Sequence, residues 1–120
     1  MSYQAGNIFD PDQEQILIDL ETLSTRKNAA IIAIGCTRFT LTNGISDKFY
    51  INVDALDCRK LGLHFSTDTI DWWKKQPKET SDLWKTDTAS LKQALAAFRE
   101  WYGPKSLPTW GNSPRFDMAI

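Results

Sequence analysis

Apolar and polar positions along this chain follow two different rhythms, and the change between them divides it. Residues 15–22, QILIDLET, are an apolar run broken by two acids. The run has the length of a strand, and its apolar density predicts burial on both faces. Residues 29–41, AAIIAIGCTRFTL, make a second strand that becomes polar toward its end. TNG at 42–44 tolerates positive φ, so a hairpin turn and a returning strand over 45–53 are expected. LSTRKN is the loop between the first two strands. The first half therefore reads as an antiparallel three-strand meander.

Beyond residue 53 the rhythm becomes helical. Residues 54–66 are irregular, and STDTIDWWKKQ at 66–76 opens on cap residues and stops at Pro77. DTASLKQALAAFREWYG at 87–103 carries the clearest stripe. Leu91, Leu95, Phe98 and Trp101 or Tyr102 share a face, with Asp87 or Thr88 to cap it and Gly103 to end it. LPTWGN at 107–112 is a short strand, and SPRFDMAI then begins as a helix does, with Ser113 at the N-cap and Pro114 next. A meander followed by helices and a further strand is a mixed α/β domain over 15–120, after a polar leader at 1–14.

With 120 residues, 42% hydrophobic and 24% charged, the chain suits one soluble globular domain. A net charge of -1 supplies no basic field, so any nucleic-acid contact has to come from a local patch. No apolar run approaches a membrane span, so no membrane partner is expected. Cys36 lies in an apolar run and Cys58 in a polar stretch, and the N-terminus has no apolar signal region. Together these point to a reducing, cytoplasmic setting rather than a disulfide scaffold.

The candidate chemistry begins with Asp19 and Glu21. Residues i and i+2 of a strand share a face, so the two carboxylates project side by side. Such neighbours repel, and burial of either is costly unless a cation offsets it. Hard oxygen ligands suit Mg²⁺ or Mn²⁺. Two such ions about 4 Å apart can activate water and stabilise the leaving oxygen in phosphodiester cleavage. The plainer reading is a pair of solvated acids that cap a loop or meet Arg26 or Lys27. Asp117, in the first turn of a predicted helix, is a further acid, and the helix dipole alone would favour it there. Trp72 and Trp73 are adjacent on a helix and face different ways. One suits the core, and the other can stack on a base of a single strand. Lys74, Lys75 and Lys78 beside them could meet phosphates or simply solvate a helix end. His64 is the sole histidine and reads as a loop or surface residue.

Taken in order, IDLET, AAIIAIG, TIDWWKKQ, SLKQALAAFREW and WGNSPRFDMAI resemble the DEDD 3′-5′ exonucleases of the ribonuclease H-like superfamily, on its phage-type and exoribonuclease-like branch. The likeness runs from Gln15 to Ile120. It implies a ribonuclease H-like fold and a two-metal enzyme, using Mg²⁺ or Mn²⁺, that degrades single-stranded DNA or RNA from the 3′ end. It implies Asp19, Glu21 and Asp117 as catalytic, metal-binding carboxylates. It sets Thr22, Leu23, Asn112 and Phe116 at the substrate, with Trp73 added as the stacking candidate. The family's third motif, a His or Tyr base and a last metal-binding Asp, has no counterpart before Ile120. The expectation is a shortened domain, lacking its C-terminal part, whose uncovered side favours a homo-oligomer. The alternative function is a catalytically inactive remnant of this fold that binds nucleic acid or a protein partner.

Overall fold

A computed structural model describes residues 9–77 and 88–111. Expectations for Lys78, Asn112, Phe116, Asp117 and the helix start at Ser113 lie outside the described residues. The meander is present: β1 (Gln15–Thr22), β2 (Ile31–Thr40) and β3 (Gly44–Val53) pair antiparallel in sequence order. Gly44, at φ 71°, supplies the positive φ that the tight turn requires. Helices α1 (Ala55–Lys60) and α2 (Thr67–Lys74) follow. Then come β4 (Thr88–Ala89), α3 (Leu91–Tyr102) and β5 (Thr109–Gly111). The five-stranded sheet has the order β4-β3-β2-β1-β5, with β4 and β5 parallel to their neighbours. This is the mixed α/β sheet with flanking helices that the sequence predicts.

Three elements differ from expectation. Helix α1 occupies part of the stretch read as irregular. Its signals were present in the sequence: the Asp54 side chain accepts from the Leu56 amide at 3.0 Å, and Gly62 follows at φ 80°. With a single buried residue, Cys58, its six residues carry no readable stripe. Helix α3 begins later than expected because Ser90, not Asp87 or Thr88, caps it. Ser90 Oγ accepts from the Gln93 amide and Gln93 Oε1 accepts from the Ser90 amide, each at 3.1 Å, which completes a capping box. Thr88 and Ala89 instead extend the sheet beside β3. Finally, β1 is not buried on both faces: Ile16 is fully buried and Leu17 is exposed. In α3 likewise, Ala94 is buried and Leu95 is exposed.

The core lies on one face of the sheet. Ile34, Cys36 and Val53 form it together with Ala94, and Ile18, Leu20, Phe49 and Phe98 pack against it. Phe49 meets Phe98 edge-on at 6.2 Å and Trp101 at 5.7 Å, which seats α3 across β3. Burial of each large apolar side chain here contributes about 1.5–3 kcal/mol. Ladder pairing sets Ile18 opposite Cys36 and Cys36 opposite Phe49, one row of this apolar face. The neighbouring row, shifted by one residue, belongs to the other face and carries the acids.

Candidate active site

Three cross-strand rows make up the acid-bearing part of that second face. Leu17 pairs with Thr37 and Thr37 with Lys48; Asp19 with Gly35 and Gly35 with Tyr50; Glu21 with Ala33 and Ala33 with Asn52. Between the acids on β1 and the larger side chains on β3, the middle strand thus presents only Thr, Gly and Ala. The result is a trough with carboxylates along one wall. Asp19 and Glu21 are both half-buried. The phenol of Tyr50, in the opposite wall, is pushed above its usual range by burial and then by the charge of Glu21.

The strand register breaks between Glu21 and Thr22, immediately after the acids. Such a break re-aims the residues that follow it. Thr22 uses its hydroxyl locally, donating to the Ser24 carbonyl at 2.7 Å. Its own carbonyl accepts from Trp73 Nε1 at 2.8 Å. Leu23 is buried, and its amide donates to the Ala30 carbonyl at 2.9 Å. The two adjacent tryptophans divide between core and surface, but Trp73, the expected stacking residue, is the buried one, because its indole N–H is taken up by the Thr22 carbonyl. Trp73 is 7% exposed and Trp72 is 55% exposed, and the rings meet edge-to-face at 5.0 Å. Both line a cleft of about 400 Å³ at the end of β1, with Glu21, Thr25, Asp68 and Thr69.

His64 does more than the sequence suggested. Its Nδ1 is hydrogen-bonded to Ser24 Oγ, and its amide donates to the Asn28 carbonyl at 2.7 Å. It is half-buried and fastens the loop that follows the acids. Only the fold brings positions 24 and 64 together; nothing in the local sequence marks the pair.

Strand β5 lies against β1 on the side away from β2. Ile16 pairs with Thr109, Leu17 with Trp110 and Ile18 with Gly111. Trp110 Nε1 donates to Gln15 Oε1 at 2.8 Å, and the Tyr102 hydroxyl accepts from the Leu107 amide at 2.9 Å, which fixes the approach to β5. The last described residue, Gly111, is therefore level with Ile18, one position before Asp19. Among the described residues no cluster of three or more His, Cys, Asp or Glu side chains forms, and Asp19 and Glu21 stand as a pair. Their donor chemistry, carboxylate oxygen alone, fits a hard divalent cation. No described helix is long and apolar enough to cross a membrane.

The mixed five-stranded sheet with its flanking helices matches the fold of a known nuclease. Over 88% of this chain it matches the crystal structure of cell-death related nuclease 4 (CRN-4) with a TM-score of 0.57 and 14% identity. The chain spans 37% of that protein's length. Residues 14–120 match the family model described as the 3′-5′ exoribonuclease Rv2179c-like domain, and the chain belongs to that family. This is a family of hydrolytic 3′-5′ exonucleases, in agreement with the resemblance of the sequence motifs. A comparison with curated protein sequences found no match.

Proposed function

We propose that this protein is a metal-dependent 3′-5′ exonuclease that degrades single-stranded nucleic acid with Asp19, Glu21 and Asp117 as its essential carboxylates. The observation that carries this reading is the pairing of Asp19 and Glu21 on the open face of β1, across from a middle strand of small residues. Asp117 follows Gly111 by six residues in the sequence, and Gly111 ends level with Ile18. Six residues span at most about 20 Å, so the third acid is within reach of the first two.

In the reaction a water oxygen bonds to the terminal phosphorus. The bond from that phosphorus to the 3′ oxygen of the preceding nucleotide breaks. That oxygen takes up a proton, and a nucleoside 5′-monophosphate leaves. Two Mg²⁺ or Mn²⁺ ions would supply positive charge for the attacking and leaving oxygens. The protein's own residues hold and orient the strand. The carboxylates would hold the cations, and the exposed Trp72 ring at the cleft gives a terminal base a stacking surface. Trp73 and Thr22 form part of the cleft wall, and together with Leu23, whose amide donates to the Ala30 carbonyl, they fix the end of β1 after Glu21.

The test is Asp19→Ala, assayed with Mn²⁺ on a 5′-labelled single strand. Loss of a supporting residue costs a metal site roughly 10–100-fold. Loss of a ligand should abolish release of mononucleotides, with an unchanged melting temperature. Undiminished activity in that variant would overturn the assignment.

A further inference from the structure

We propose that Tyr50 is a substrate-contacting residue whose phenol hydroxyl donates a hydrogen bond to a non-bridging oxygen of the 3′-terminal phosphodiester held beside Asp19 and Glu21. The proposal rests on the exonuclease reading and names a contact within that site which neither the motifs nor the family match singles out.

The argument is geometric. Tyr50 and Asp19 share one cross-strand row, separated only by Gly35. Neighbouring strands lie about 4.8 Å apart, so their Cα atoms are about 10 Å apart across two spacings. The ring closes part of that gap. A Cβ built on Gly35 would lie 3.6 Å from Tyr50 Cδ2 and 3.7 Å from the Asp19 carbonyl oxygen. The ring therefore leans over β2 toward the acids, into space that a residue larger than alanine at position 35 would take. Tyr50 is nonetheless 57% exposed, so its hydroxyl is open to an arriving strand.

The chemistry agrees with the geometry. A phenol is protonated across the neutral range and donates its O–H. A phosphate oxygen is an anionic acceptor, and hydrogen bonds to charged groups are the stronger kind. Cations at Asp19 and Glu21 would draw the phosphate to one wall of the trough, and Tyr50 supplies a neutral donor from the other. A second anion there would repel the substrate, whereas a phenol does not. A ring retained only for packing would need no hydroxyl, and the Phe variant separates these roles.

Wild type, Tyr50→Phe and Asp19→Ala are compared on DNA and RNA strands of one sequence. Hydrolysis is followed in Mn²⁺, and strand affinity in Ca²⁺ is read by fluorescence anisotropy of a 5′-fluorescein label. Tyr50→Phe should keep the wild-type melting temperature and lose about 10-fold or more in kcat/KM. Wild-type kcat/KM in that variant overturns the proposal. If the wild type itself does not hydrolyse either strand, the exonuclease reading fails separately. The affinities then decide for Tyr50: weaker binding by Tyr50→Phe supports the contact, and equal binding overturns it.

Discussion

The indole N–H of Trp73 donates to the carbonyl of Thr22 at 2.8 Å, so helix α2 is tethered to β1 one residue beyond Glu21. Its neighbour Trp72 makes no such tie among the described residues and is the exposed ring of the pair. Two adjacent, identical side chains therefore have separable duties. Trp73→Phe should destabilise the fold by about 2 kcal/mol, through the lost hydrogen bond, the stranded carbonyl and the smaller ring. Trp72→Ala should leave the melting temperature nearly unchanged and weaken binding of a single strand, since a base–aromatic stack is worth about 1–3 kcal/mol. Thermal unfolding and anisotropy titration of both variants check this. Equal melting temperatures for the two variants would contradict the division.

Gly35 is the floor of the trough, and its backbone is not in the left-handed region. A methyl group there meets only ordinary contacts, at 3.6 and 3.7 Å. Gly35→Ala should therefore fold normally, and the reduced freedom of the unfolded chain should stabilise it by about 0.4–1 kcal/mol. Gly35→Leu should displace the Tyr50 ring and lower nucleotide release much further than it lowers stability. Denaturant unfolding alongside the nuclease assay tests both. Full turnover in Gly35→Leu would show that the trough is not where the strand lies.

Both cysteines are free and buried. Burial raises the Cys36 thiol from 9.0 to about 12, and burial also raises that of Cys58. A group that holds its proton more tightly when folded favours the fold below its unfolded pKa. That contribution is lost as pH rises from 9.0 toward about 12. Over that window Cys36 should remove up to about 1.4 kcal/mol of stability per pH unit. Cys36→Ala should flatten the alkaline limb of a stability–pH curve. At neutral pH neither thiol should react with a disulfide reagent until denaturant is added.

The sequence shows most of the elements but less of their arrangement. The boundaries of β1 follow from its apolar run, and those of β2 and β3 from the Asn43–Gly44 turn between them. Helix α1 was missed because six residues with one buried side chain leave no periodicity, although Asp54 and Gly62 frame it. β4 could not be read at all: two residues become a strand only when β3 lies beside them. The acids at positions 19 and 21 were legible because period two puts both on one face. Tyr50 was not, since its relation to Asp19 exists only through the register of three strands. The tryptophan pair was legible as divided between core and surface. Which ring faced outward depended on the direction from which α2 meets β1.

The parallel pairing of β5 with β1 joins Ile16 to Thr109, residues from opposite ends of the described chain. Contacts of such sequence separation form late and slowly, because a long loop has to close before they are rewarded. The meander, whose strands are neighbours in sequence, has no such delay. A growing or refolding chain should therefore present its acidic pair early and acquire the adjoining strand last, so that nuclease activity, once gained, reports completion of the whole domain.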